Sequence, residues 1–371
     1  MKVSHKRSRL FWLLSLLLPI ALVATACGGD DDDGGEAAAC EVNETDGDLA
    51  IYNWAEYIDP ELLEDFEQEF GVSVTMDVYD SNEAMQPIIA AGNSGFDLIV
   101  PSDYMVAILI AGGTIQPLQK DAIPNLSNIS SDFQNLIYDP AGDYSVPYQW
   151  GTTGLAVDTA VVGADFPRTW GLVFDPAIAD QYSGSISLLN DPRETLGAAL
   201  KYLGYSLNTT DEGELQEATD LVASTRDRLA AFNTDSADEF LTTGETAIAH
   251  GYSGDMFTQF LDTDDPSRYV YFVPEEGGTR WIDNMAIPFD AGSRCTAHTF
   301  INWLLNGEQG AALSNYNYYA TPNTAAVDGL DEELRVFVTS RDVAPVEVLE
   351  ELVDTGDFEI KYSDAFIEAK G

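Results

Sequence analysis

Residues 49–100 read LAIYNWAEYIDPELLEDFEQEFGVSVTMDVYDSNEAMQPIIAAGNSGFDLIV, and the rhythm of this stretch decides the fold. Leu49 to Trp54 (LAIYNW) reads as a strand. Asp59-Pro60 opens a helix, with Pro60 at its first position, Leu62, Leu63 and Phe66 at helical spacing, and Gly71 at its end. Val72 to Tyr79 alternates as a strand, Ser81 starts a second helix to about Ala91, and Phe96 to Val100 (FDLIV) is an apolar run suited to a buried parallel strand. Strand, helix, strand, helix, strand specifies an open α/β sheet. Ligands of such sheets bind beyond the carboxyl ends of the strands, which singles out Asn53 to Tyr57 and Pro101 to Tyr104.

Working outward, a second run of the same character begins near Gly151. It includes Gly184 to Leu189 (GSISLL), a turn with Asp191 to Glu194, and a helical stretch through Leu203. Trp281 to Pro288 (WIDNMAIP) follows the Gly277-Gly278 turn, and a helix with apolar face Phe300, Trp303 and Leu304 comes next. No internal repeat of short period is present. A body of about 340 residues exceeds what one hydrophobic core usually supports, so two lobes are expected. The 45% apolar content supplies enough material for both.

The amino terminus reads as an export signal, residues 1–26. Lys2, Lys6, Arg7 and Arg9 precede an apolar run from Leu10 to Ala24, with small residues before Cys27. The run is about 15 residues, short of the roughly 20 that span a bilayer as a helix. Ala24-Thr25-Ala26-Cys27-Gly28 resembles the lipobox of bacterial lipoproteins, with Ala24 where leucine is usual. The resemblance implies lipid attachment at Cys27; the alternative is plain secretion. Residues 27–46, with Asp30 to Asp33 and Gly34 to Ala39, have nothing to bury and read as an acidic tether.

Of 17 Lys+Arg, four lie in the signal, leaving 13 against 63 Asp+Glu, a formal charge of −50. That balance argues against nucleic acid as a partner. It would draw in cationic solutes, and equally suits a solvated surface in a salty medium. Cys40 and Cys295 remain after Cys27, in a chain destined for a compartment where disulfides persist. A Cys40–Cys295 bridge is the expectation, with two free, buried thiols as the alternative.

Catalytic signatures are lacking. Only His250 and His298 follow the signal, neither in an HExxH pattern nor near CxxC, and there is no GxSxG elbow or GxxxxGK loop. No metal, cofactor or enzymatic role is expected. Tyr318-Tyr319 could offer phenolates to ferric iron, but without an accompanying His or carboxylate motif it reads as aromatic packing. What recurs is a ring beside an acid: Trp54 with Glu56 and Tyr57, Tyr252 with Asp255, and Trp281 with Asp283. Ammonium groups need carboxylates within hydrogen-bond reach, and methylene chains need flat aromatic walls that add cation–π attraction. The pattern suits a protonated polyamine.

An ordered series of motifs then makes the chain recognisable: Tyr52 to Tyr57 (YNWAEY), Ser81-Asn82-Glu83, Val100 to Tyr104 (VPSDY), Tyr144 to Tyr148 with Trp150-Gly151, Asp191-Pro192-Arg193-Glu194, Leu203 to Ser206, Trp281-Ile282-Asp283 and Thr321-Pro322-Asn323. In these it resembles the spermidine/putrescine-binding periplasmic proteins of polyamine ABC importers. The resemblance implies that Trp54, Tyr57, Ser102 and Tyr104 line the cleft, that Asp191 and Glu194 supply acids, and that Trp281 stacks on the solute while Asp283 holds an amine. It also brings in Tyr319 and Thr234. Glu56, Tyr252 and Asp255 complete the expected set. Tyr252 stands where the family usually has tryptophan, and Ala55 where a hydroxyl residue is common.

The fold implied is the α/β two-lobed periplasmic-binding-protein fold, type II-like. Each lobe would be an open sheet flanked by helices, with a hinge of crossing strands and the ligand cleft between lobes. The expected lobes are 47–150 plus 281–326, and 151–280 plus 327–371, with crossings near Trp150 and Trp281 and a return near Ala326. The expected function is capture of spermidine or putrescine, by a lipid-anchored, exported monomer that delivers it to a membrane permease. Alternatives are the same fold with another amino or guanidino solute, an extracellular hydrolase, and a sensor subunit.

Overall fold

The computed structural model describes residues 39–332, 334–335 and 348–371. The signal 1–26, Cys27 and the tether up to residue 38 lie outside the described residues, as do parts of 333–347. The account below concerns the unit Ala39–Gly371.

Among the described residues, ten strands form one mixed sheet. They are β1 (Leu49–Trp54), β2 (Val74–Tyr79), β3 (Leu98–Ile99), β4 (Ser145–Asp158), β5 (Ile186–Leu188), β6 (Leu229–Phe232), β7 (Ile248–Tyr252), β8 (Tyr269–Phe272), β9 (Gly278–Ala286) and β10 (Leu349–Glu350). The order is β2-β1-β3-β9-β4-β7-β5-β6, with β8 on β4 and β10 on β9. β1 pairs in parallel with β2 and β3, and β5 in parallel with β6 and β7, so each end of the path is an open parallel sheet as the opening segment predicts.

The middle is antiparallel and belongs to both ends. The first part of β4 runs against β9, from Ser145 opposite Ala286 to Thr152 opposite Arg280. From Thr153 onward β4 lies against β7, and from Leu155 also against β8. Two apolar cores flank this seam. One gathers Leu49, Ile51, Phe66, Leu98, Phe300 and Trp303; the other gathers Leu155, Trp170, Ile186, Leu196, Ile248 and Phe272. This is the two-lobed α/β fold, with β4 and β9 crossing from one lobe to the other.

The helices form where local chemistry directs. Asp59 caps Pro60–Phe70 by accepting from the Glu61 N–H at 2.9 Å, and Gly71 ends it with φ +70°. Asp191 caps Pro192–Leu203 in the same way, and Gly204 ends it with φ +84°. The helix Arg294–Leu304 departs from the sequence reading. An apolar face was expected, yet every residue from Cys295 to Leu304 is buried, the polar ones finding partners: Thr296 and Thr299 donate to the Gly47 and Glu44 carbonyls. The strands also shift. β9 takes in Gly278 of the expected turn and runs to Ala286, and β3 keeps only two residues of FDLIV.

Cys40 and Cys295 form a disulfide, with Cα atoms 5.3 Å apart, tying the amino-terminal segment to the start of that buried helix. Asp46 reinforces the junction by accepting from the Cys295 and Thr296 N–H groups, both at 3.1 Å. Near the carboxyl end, Leu330 and Leu334 pack with Ala311 of the first-lobe helix Gly307–Asn317. β10 pairs in parallel with the start of β9, Leu349 opposite Gly278 and Glu350 opposite Thr279.

Candidate functional site

The loops at the carboxyl ends of β1, β3, β5 and β7 converge on a cavity beside the β4–β9 seam. All thirteen residues singled out in the sequence for the ligand face it: Trp54, Glu56, Tyr57, Ser102, Tyr104, Asp191, Glu194, Thr234, Tyr252, Asp255, Trp281, Asp283 and Tyr319. Asn82, Asp103, Asp235 and Leu352 also line it without having been picked as site residues, as does Ala55. Among the described residues the lining holds seven carboxylates and no lysine, arginine or histidine, a set that matches the charge of a cation.

Aromatic rings make the walls. Trp54, at the end of β1, donates its indole N–H to the Val100 carbonyl at 2.9 Å, which fixes the ring against Tyr79 at 4.6 Å. Trp281 on β9 donates to Thr153 Oγ1 at 3.1 Å. Its ring meets Tyr319 edge-on at 5.2 Å and Tyr252 at 5.9 Å, and Tyr57 meets Tyr319 at 5.1 Å. Gly151 allows this: a Cβ there would lie 2.7 Å from the Trp281 ring. Tyr319 follows Tyr318, which ends its helix in the left-handed region at φ +55°, so the two tyrosines part. Tyr319 packs in this box at the cavity, consistent with aromatic packing.

The acids occupy distinct stations. Asp283 accepts from Ser102 Oγ at 2.7 Å; Ser102 in turn accepts from Asn82 Nδ2 at 3.0 Å. Burial pushes the Asp283 carboxyl up to about 7, with the Ser102 and Tyr57 hydroxyls holding it lower than burial alone would. Glu194 accepts from Thr153 at 2.9 Å and from Thr279 at 2.7 Å. Burial pushes it up to about 7, offset by these hydroxyls and by Arg193. The Trp281 indole and Glu194 thus share Thr153, a direct coupling between the ring wall and one acid.

Asp191 caps its helix by accepting from the Arg193 and Glu194 N–H groups at 2.9 and 3.0 Å. Burial, with Glu83 and Glu194 nearby, raises its pKa well above the usual range. Asp255 is raised likewise, by burial first and then by Asp238. Asp103 is also raised by burial, although it accepts from the Tyr104 and Ile282 N–H groups at 2.8 and 3.3 Å. Glu56, exposed at the mouth, sits at φ +54°, a conformation that a non-glycine residue rarely holds without a reason. Burial and then Glu239 and Asp235 raise its pKa.

One buried cation stands behind the wall. The Arg193 guanidinium donates to both Glu359 oxygens, at 2.6 and 2.8 Å, and to Asn208 at 2.9 Å, and lies between the Tyr104 and Tyr362 rings at 5.0 and 4.5 Å. Tyr104 donates to Glu83 Oε1 at 2.8 Å. Thr234 accepts from the Asn190 N–H at 3.1 Å. The two histidines stay away from the cavity. His250 is buried in the second lobe against Trp170, held neutral by burial that takes its pKa down to about 3. His298 accepts from the Gln119 N–H at 2.9 Å. Among the described residues no group of three His, Cys, Asp or Glu is placed to hold a metal ion.

The fold and the lining have counterparts in known proteins. The family profile of bacterial extracellular solute-binding proteins matches residues 61–335. A putrescine/cadaverine-binding protein of Pseudomonas aeruginosa is 34% identical over 326 residues, covering 86% of this chain and 89% of its own length. A spermidine/putrescine-binding periplasmic protein of Escherichia coli is 36% identical over 307 residues, 82% of this chain and 85% of the relative. A solved structure from Listeria monocytogenes, assigned to spermidine/putrescine ABC transport, superposes with a TM-score of 0.81 at 33% identity, over 88% of this chain and 99% of that one. The chain belongs to the bacterial extracellular solute-binding proteins, among the spermidine/putrescine-binding periplasmic proteins.

Proposed function

We propose that this protein is the extracytoplasmic solute-binding component of an ABC importer, capturing a polyamine such as spermidine or putrescine between its lobes and presenting it to a membrane permease. The observation that carries the reading is the lining itself: among the described residues, seven carboxylates and a box of tryptophan and tyrosine rings, with no basic side chain. Ammonium groups would pair with Asp283 and with the Asp191, Glu194 and Asp255 carboxylates, whose pKa values are raised because burial without a counter-ion disfavours their charged forms. The methylenes between them would lie against Trp54, Tyr57, Tyr252, Trp281 and Tyr319, where ring faces add cation–π attraction at the chain ends.

The hinge would be the β4–β9 seam, which belongs to both sheets, with lobe limits near 47–150 plus 281–326 and near 151–280, plus the carboxyl-terminal part from β10 onward. Cys27 would carry the lipid and residues 27–46 the tether, leaving a monomer to swing at the outer face of the membrane; no described helix is long and apolar enough to cross one. No chemical step is part of the proposal, and the solute leaves as it arrived. Tyr252, where tryptophan is usual, favours as second reading another cationic amino or guanidino solute, since one wall residue can redirect such a cleft.

Titration of the Asp283→Asn variant tests the charge match. Its expected outcome is loss of most of the affinity for spermidine and putrescine with retained folding; wild-type affinity in this variant would count against the assignment.

A further inference from the structure

Asp80 and Asn190 stand at the carboxyl ends of β2 and β5, strands with β1, β3, β9, β4 and β7 between them in the sheet order. No strand pairing brings these residues together. Yet Asn190 Nδ2 donates to Asp80 Oδ2 at 2.6 Å, a bond that exists only while the two lobes face each other closely. The other end of the same amide is also engaged. Lys370 Nζ donates to Asn190 Oδ1, and Lys370 lies over the Phe366 and Phe232 rings at 5.0 and 5.6 Å. The Asn190 N–H is spent on Thr234 Oγ1. An amide held between an ammonium and a carboxylate is polarised by both, which strengthens each bond.

The surroundings give this contact its weight. At the mouth, Glu56 of the first lobe faces Asp235 and Glu239 of the second, and Asp80 itself faces Asp235. Like charges therefore oppose closure there, and the Asn190 bridge supplies an attraction between the same two rims. Neither Asp80, Asn190 nor Lys370 lines the cavity.

We propose that Lys370, Asn190 and Asp80 form a clasp across the cleft that holds the closed state and so sets the residence time of the solute, with Asn190 and Asp80 as positioning residues that never touch it. The inference rests on the reading of the cavity as a cation-binding cleft. Because the solute enters while the cleft is open and the clasp unmade, its loss speeds release and leaves encounter unchanged, and in the free protein it lowers the population of closed conformers.

The test is stopped-flow binding of spermidine to Asp80→Ala, Asn190→Ala, the double variant, Lys370→Met and Lys370→Arg. The single clasp variants are expected to release solute about tenfold faster, with association within about twofold of wild type. The double variant should be no worse than either single one, and Lys370→Arg should behave as wild type where Lys370→Met does not. A second readout needs no solute: nitroxides at Ile137→Cys and Val161→Cys, exposed sites on the first and second lobes, report lobe separation by pulsed dipolar spectroscopy. Asn190→Ala should shift that distribution to longer distances. Unchanged release and unchanged distances, or additive effects in the double variant, would overturn the clasp. If wild type fails to bind spermidine the polyamine reading falls, while the distance shift still decides the clasp on its own.

Discussion

Lowering the pH from 8 to 5 should weaken polyamine binding by at least about a hundredfold, because the cleft's own carboxylates titrate in that range. Burial pushes Glu194 and Asp283 up to about 7. Each therefore holds a proton at pH 5 and is ionised at pH 8. An ammonium beside such a group favours only the ionised form, so at pH 5 the solute must expel that proton to bind. For one group at about 7 whose value falls below 5 in the complex, the loss across this range is about a hundredfold, or ~2.7 kcal/mol at ~1.36 kcal/mol per unit. Asp191 and Asp255, also raised by burial, act in the same direction. The primary amines of the solute, like that of lysine near ~10, stay largely protonated throughout and contribute little to the trend.

The assay is calorimetry at pH 5, 6, 7 and 8, each in two buffers of different ionisation enthalpy, so that proton release is counted directly. About half a proton per carboxylate should be released at pH 7. Asp283→Asn should remove one step of the dependence. Equal affinity at pH 5 and 8, or tighter binding at pH 5, would refute the reasoning.

The free protein should show the complementary trend. Carboxylates whose folded values are raised stabilise the fold below their unfolded values near ~4 and lose that contribution as the pH passes through about 7. Melting temperature at high salt should thus fall from pH 5 to pH 8, and saturating polyamine should restore it; a flat profile would contradict the assignment. At pH 8, Asp283→Asn should weaken binding by ~3 kcal/mol, about 150-fold, and titration against wild type measures this. Gly151→Ala places a Cβ 2.7 Å from the Trp281 ring and 2.9 Å from Ser253 Oγ. The indole must move, with an expected loss of ~1–3 kcal/mol in stability and about tenfold in affinity, read by denaturant unfolding and titration. Cys295→Ser removes a bridge spanning 255 positions and should lower stability by ~2–4 kcal/mol while leaving affinity within about twofold, read in the same pair of assays.

Much of this site was legible because its chemistry is local. Trp54, Tyr57, Ser102 and Tyr104 lie at or just past strand ends that alternation and caps locate, and Glu56, Asp255 and Asp283 each lie within three residues of a ring, whereas Asp191, Glu194, Thr234 and Tyr319 are reached only through the family motifs. The residues missed are those whose place depends on distant chain. Asn82 was noted within its motif, but its role comes from two hydrogen bonds to Ser102, twenty positions away. Leu352 arrives from beyond β10, and Asp103 is drawn in by the Ile282 N–H of β9. Asp235, next to Thr234, is the one that adjacency could have found.

In the fold, the opening β-α-β-α-β segment carries a strong local signal, whereas the helix Arg294–Leu304 does not. Its neighbours cover it on all sides, and its threonines satisfy themselves on the segment joined to it through Cys40, so no polar face is required. The closing contacts were beyond reach for the same reason. Asp80, Asn190 and Lys370 lie up to 290 positions apart and meet only through the three-dimensional closure of the cleft.

The central claim is that the cleft holds a polyamine, and the most direct measurement is isothermal titration calorimetry of the protein with spermidine and, separately, putrescine. The protein should first be unfolded and refolded to remove copurified solute, and moderate salt should screen diffuse attraction to the acidic surface. The account predicts one-to-one binding at micromolar affinity or tighter for at least one of the two. No saturable heat with either would contradict it and turn attention to another cationic amino or guanidino solute.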